Sequence, residues 1–223
     1  MVIVAILALL FTSGQEVPVR HEPAPTPIAW EIELDFQDPH RIDVMCNGRQ
    51  HTFWYVVYTA RNTSDKTQQF QPTFQIVNED LEVFNTDTSV PPVAFQAIRE
   101  LHRDSHPELR HPTKAIGPIR RGDDYAVESV AIWRDANLSG NNFSIFVSGL
   151  SGETEIVANP AFDPRKPESV SVVQPSGMSR EVSVNPRHFV LRKTLEIDYQ
   201  LPGSNDTLHH AEPIRTGARW IMR

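Results

Sequence analysis

Nine histidines give this chain its most suggestive chemistry, because a neutral imidazole is a common zinc ligand and titrates close to neutral pH. His102, His106 and His111 gather in one stretch, and His209 and His210 are adjacent. On an unbroken helix His102 and His106 would share a face, but Pro107 disfavours a helical His106. The run His106-Pro107-Glu108-Leu109-Arg110-His111 also lacks the His-Glu-x-x-His spacing of a metalloprotease helix. Solvated loop histidines are the favoured reading, with His102, His106 and His111 as the candidate metal ligands. No cofactor is expected.

The remaining chemical candidates reduce to structure. Cys46 is the only cysteine, so no internal disulfide can form. A two-residue Asn47-Gly48 turn would pair Cys46 with Arg49 and leave His51 diagonal to the thiol at about 7–8 Å, too far for an activated pair. A core thiol is the expectation. Ser148-Gly149-Leu150-Ser151-Gly152 does not match the Gly-x-Ser-x-Gly spacing of a nucleophile elbow. No phosphate-cradling or calcium loop is spelled out. Arg121-Gly122-Asp123 spells an adhesion tripeptide but reads as a tight turn before a strand. Sequons at Asn62, Asn137, Asn142 and Asn205 would carry glycans only in a host that makes them. Trp30, Trp54, Trp133 and Trp220 could stack on sugar, yet all four fall in expected strands, where aromatics serve cores first. No catalytic residue is assigned, and the chain is not expected to be an enzyme.

Charge narrows the partners. The 223 residues carry a formal net charge of −7. Binding a polyanion needs a basic face, and the basic cluster Arg120-Arg121 is followed at once by Asp123-Asp124. Nucleic acid and anionic membrane surfaces are therefore not expected partners. Val2 to Phe11 is an unbroken apolar run. As a helix it would span about 15 Å, roughly half a bilayer core, which suits a signal-peptide core and not a membrane span. No Lys or Arg precedes it, and a core strand is the competing reading. Residues 1–14 are expected to be a signal peptide, residues 15–27 a Pro-rich linker, and residues 28–223 the folded domain, secreted or periplasmic, with no membrane insertion.

The elements that must position these residues are mostly strands. Ile28, Trp30, Ile32, Leu34 and Phe36 alternate with polar residues, the period of a half-buried strand. Ile42, Val44 and Cys46 begin another, and Asn47-Gly48 supplies a type I′ hairpin turn. Phe53 to Ala60 is apolar on both faces and should be covered on both sides. Phe70, Phe74 and Ile76 suggest a further strand, and Asn78-Glu79-Asp80 a turn. Ser89 can cap a short helix over residues 91–102, with Pro91 and Pro92 in its first turn and Ala94, Ile98 and Leu101 on its apolar face. Residues 103–118 read as a long polar loop. Strands resume at residues 125–133 and 143–148, with another at residues 169–173. Residues 189–201 alternate apolar and polar, and residues 218–222 close the sheet. The sum is a mainly β, immunoglobulin-like antiparallel β-sandwich with one short inserted helix. A division near residue 155 stays open.

Residues 56–66, with the turn Asn62-Thr63-Ser64-Asp65, and residues 74–80, ending in an acidic turn, are followed by Pro118-Ile119-Arg120-Arg121-Gly122-Asp123 ahead of a strand at residues 129–133. Together, over residues 50–150, this pattern resembles bacterial extracellular domains with a telokin-like, immunoglobulin-type sandwich. The chain departs from them at Leu81, where such domains usually carry Gly, and in its inserted helix and His-rich loop. The resemblance implies a sandwich fold and export, and no activity. The expectation is an exported, non-enzymatic interaction or structural module of the cell envelope with a protein partner, docking through a sheet edge or the 103–118 loop. The alternative is a carbohydrate- or divalent-metal-binding module.

Overall fold

The computed structural model describes residues 30–86, 89–138, 140–174, 177–203 and 211–223. The expected signal peptide (residues 1–14), the linker (residues 15–27), Asn205, His209 and His210 lie outside the described residues.

One long strand, β3 (Arg49–Asn62), organises the rest. Its Trp54, Val56, Tyr58 and Ala60 join one buried cluster, and its Phe53, Tyr55 and Val57 join another. Strands β1 (Ile32–Phe36) and β2 (His40–Cys46) line up along one edge of β3, and β8 (Val127–Arg134) pairs along the other, all antiparallel. The β2–β3 hairpin turns on Asn47 and Gly48, at φ 52° and 77°, and pairs Cys46 with Arg49, as the Asn-Gly signal requires.

The second sheet runs in the order β6 (Val83–Asn85), β5 (Thr73–Asn78), β9 (Asn142–Ser148), β13 (His188–Gln200), β14 (Ile214–Met222). Its Phe74, Ile76, Phe143, Ile145, Val147, Leu195, Ile197 and Tyr199 meet the Trp54 face of β3. Tyr58 stacks on Phe74 with ring centroids 4.9 Å apart. The two antiparallel sheets form a sandwich. Helix α1 (Pro92–Leu101) lays Ala94, Phe95 and Ile98 over the outward face of β3 and makes a third layer.

Two local expectations need correction. Ser89 does not cap α1: Pro91 is the N-cap without a side-chain bond, and Arg134 donates instead to the Ser89 carbonyl at 3.1 Å. Residues 103–118 are not a plain loop. They hold the short turn of helix α2 (Pro112–Ala115) and strand β7 (Gly117–Ile119), which pairs with β4 (Gln68–Phe70). Leu109, Ala115 and Ile119 are buried, too widely spaced to show as a period.

Polar residues fix the joints. Asn62 is fully buried: its amide nitrogen donates to the carbonyls of Lys66 and Ile119, both at 2.8 Å, and its oxygen accepts from the Ser64 amide and hydroxyl. An occupied, enclosed amide leaves no room for a glycan there. Leu81 sits at φ 61° with 80% of its surface exposed. A left-handed conformation costs an L-residue roughly 1–2 kcal/mol. Leu81→Gly should therefore raise the stability of the folded chain, by about 0.5–1 kcal/mol once the entropy of glycine is counted, read as a higher midpoint in urea unfolding.

Candidate functional site

The structure brings His102 and His106 together and adds a third ring that the sequence did not single out. His102 is the C-cap of α1, and the His106 amide bonds back to the His102 carbonyl at 2.7 Å, so one further helical turn survives up to Pro107. The two rings lie 6.0 Å apart, and His40, from the start of β2, lies 6.0 Å from His102 on its other side. Tyr55, on the outward face of β3, places its hydroxyl 3.2 Å from His102 Nε2. The Gln37 amide nitrogen donates to His106 Nε2 at 2.9 Å. The neutral ring then carries its proton on Nδ1, which faces Glu128 at 3.6 Å. Three imidazoles, a phenol and a carboxylate thus hold the end of α1 against the first sheet.

His111 stands apart. Its ring packs edge-on against Phe95 at 5.0 Å, and its Nδ1 caps α2 through Thr113. The three candidate ligands therefore do not converge. Among the described residues no group of three His, Cys, Asp or Glu side chains is placed to hold a metal ion. The cluster is instead a hydrogen-bonded latch. Burial pushes the His102 imidazole below its ordinary value, and the charges that His40 and His106 would carry push it further the same way. Burial also raises the Tyr55 phenol, which stays neutral beside it.

The other candidates occupy structural places. Cys46 is buried, and His51 turns away from it to bond Asp135 at 2.7 Å, while the Thr52 amide donates to the same carboxylate at 3.0 Å. Ser151 donates to the Trp30 carbonyl in the loop after β9. Gly122, at φ 106°, and Asp123 form the turn leading to β8. Trp54 and Trp133 are core residues, and Trp220 lies beneath the Lys193 ammonium, 5.0 Å from its ring centroid. No exposed aromatic platform forms from these four.

A second feature has no counterpart among the sequence candidates. Beyond the sandwich the chain makes a two-stranded ribbon. β10 (Thr154–Ala158) continues the line of β9 and pairs with the first half of β13, from Thr154↔Arg192 to Ala158↔His188. Farther out, β11 (Ser169–Val173) pairs with β12 (Ser179–Ser183). A joint links the two parts: the buried Asn185 donates to the Asp163 and Lys166 carbonyls, and Arg187 bonds Glu168 at 2.6 Å while covering the Phe162 ring. Residues 179–192 give the ribbon a contour of about 45 Å. Every residue of β10, β11 and β12 is exposed. Ile156 and Val190 pair across one face, 69% and 59% exposed, and Val157 and Phe189 pair across the other.

The ribbon is rooted on Lys193. This residue is only 5% exposed, and its ammonium lies 3.1 Å from Glu31 and 3.2 Å from Glu153. Burial alone would push that ammonium down, but the hydrogen bonds and charges of Glu31 and Glu153 prevail and hold it above its ordinary value. The sequence carried the signal: Lys193 occupies an inward step of the apolar alternation Leu191, Leu195, Ile197. Gly152 is required beside it, since a Cβ there would meet Trp30 Nε1 at 2.3 Å.

Compared with known proteins, the chain matches no family model, no curated protein and no solved structure.

The latch sets a pH dependence. With the folded-state His102 value depressed below the unfolded 6.5, its stabilising contribution is complete above pH 6.5 and is lost as pH falls below it. Thermal melts between pH 8 and pH 5 should show the wild-type chain losing more stability than His102→Gln, with the two curves converging at acid pH.

Proposed function

We propose that this chain is an exported, non-enzymatic interaction module of the cell envelope that binds a protein partner through the ribbon of residues 154–192. The observation that carries this reading is a two-stranded ribbon with apolar side chains on both faces and, among the described residues, no layer of the chain against either. An isolated two-stranded ribbon is marginal in water and gains stability when a face is covered. Full burial of side chains such as Ile156, Phe189 and Val190 contributes about 1.5–3 kcal/mol each, enough for a modest patch to dock. The loop of residues 103–118 is the poorer surface, because Leu109 and Ala115 are buried and the latch histidines are engaged with the sheet.

Export rests on the apolar run at residues 2–11, and the non-enzymatic reading on side chains that are paired in structural roles. Among the described residues His102, His106 and His111 do not converge, and Trp54 and Trp133 are buried, so these residues give the metal and sugar readings no supporting contact.

Photo-crosslinking residues at position 156 on a ribbon face and at position 172 on the β11 edge, introduced singly in cells that make the protein, test the reading. One at position 81, also exposed, serves as the control. The expected result is a discrete polypeptide adduct from at least one ribbon position and none from position 81. Folded protein that gives no adduct from either ribbon position, or the same adducts from all three positions, would remove the ribbon as the docking surface.

A further inference from the structure

We infer that the ribbon's partner is a second copy of this chain, added edge to edge along β11 in antiparallel register. This rests on the ribbon being the docking surface and goes further by naming what docks.

The first observation is an unguarded edge. Exposed edge strands are normally protected by charges, prolines or bulges. Ser169 to Ser179 carries no charged residue, and within it β11 reads Ser-Val-Ser-Val-Val with neither Pro nor Gly. Among the described residues β11 pairs with β12 alone, so its other edge is open. On the opposite side of the ribbon, β12 carries Arg180 and Glu181.

The second observation is charge, which separates a second copy from other polypeptides. A twofold axis brings each residue near its own counterpart, so any charge close to the axis meets its like. An uncharged strand is what such pairing requires, whereas a different acidic or basic partner would be met by a charged one. The chain as a whole carries −7 and repels its copy. The ribbon, residues 154–192, is the exception: five Lys and Arg stand against four Asp and Glu. Contact through the far end of the ribbon joins two copies where repulsion is least and keeps the acidic sandwiches apart.

Geometry then fixes the register. In an antiparallel pair, residues opposite each other share a face. A twofold through Ser171 sets Ser171 opposite its own copy and Val170 opposite Val172 of the second chain. Within the ribbon Val170 pairs with Val182 and Val172 with Arg180, so each row across the four-stranded sheet in the order β12-β11-β11-β12 carries three adjacent valines and ends on Arg180. The outer edges of the sheet are the charged β12 strands, which stops growth at two.

Cys46 is buried, so a single introduced cysteine reports the contact directly. In the full chain, Ser171→Cys should form disulfide-linked dimers rapidly on mild oxidation, because directly opposed residues lie about 4.5–5.5 Å apart. Ser183→Cys on the outer strand should not, since the two β12 strands would stand about 14 Å apart. Wild-type protein should sediment at twice the chain mass. Val172→Lys should weaken association by about tenfold or more by setting a charge in the valine row, with melting unchanged. Sedimentation as a monomer through the high micromolar range would overturn the inference, as would equal crosslinking at positions 171 and 183. A monomer that still gives an adduct with a different polypeptide from position 156 or 172 would refute the second copy while leaving the ribbon as the docking surface.

Discussion

A strand that is apolar on both faces cannot be satisfied by one neighbouring layer, and β3 imposes that condition on everything around it. Its Trp54, Val56 and Tyr58 require a second sheet, and its Phe53, Tyr55 and Val57 require the inserted helix. The helix must then be tied down where it ends, because Leu101 is exposed and the next turn carries mostly polar side chains. The histidine latch meets that need from three directions: His40 on β2, Tyr55 on β3 and Glu128 on β8 all face the end of α1. The site thus follows from the core's geometry, and its pH response follows from placing ionisable rings at the margin of a buried face.

Polar pins do the equivalent work at the other ends of the molecule. Asn62 ties the end of β3 to β7 by one hydrogen bond and to the turn before β4 by three, and Arg215 joins β14 to the turn before β2 by two bonds to Asp38, at 2.8 and 2.6 Å. Lys193 is the most demanding of them. An ammonium enclosed with two carboxylates is a poor source of net stability, but removing one partner strands a buried charge at a cost of about 3–5 kcal/mol. Such a group fixes which segments meet more firmly than how stable the molecule is.

Much of this was legible in the sequence, for identifiable reasons. The double-faced run in β3, the Asn-Gly turn, the bounds of β11 and the place of α1 all follow from period and turn chemistry, which are local. What was missed is non-local. His40 joined His102 and His106 only because β2 passes beneath the helix end, and no spacing encodes that contact. In β13 apolar residues recur at 189, 191, 195, 197 and 199 with Lys193 as the exception, yet the first half of the strand is exposed and its second half buried. Periodicity reports which face a side chain takes, and whether anything covers that face depends on strands far away in the chain.

The root of the ribbon has a mechanical consequence. Glu31 belongs to the first described turn of chain, bridges to Ser151, and shares Lys193 with Glu153 at the foot of β10. The first described residues and the foot of the ribbon therefore share one corner. Tension applied between residues before Trp30 and a body gripping the ribbon would run through that ion-paired corner and bypass the hydrophobic sandwich. The joint loaded first would be the buried ion-paired one, while the apolar core stays unstrained and able to re-form the connection when the pull is released.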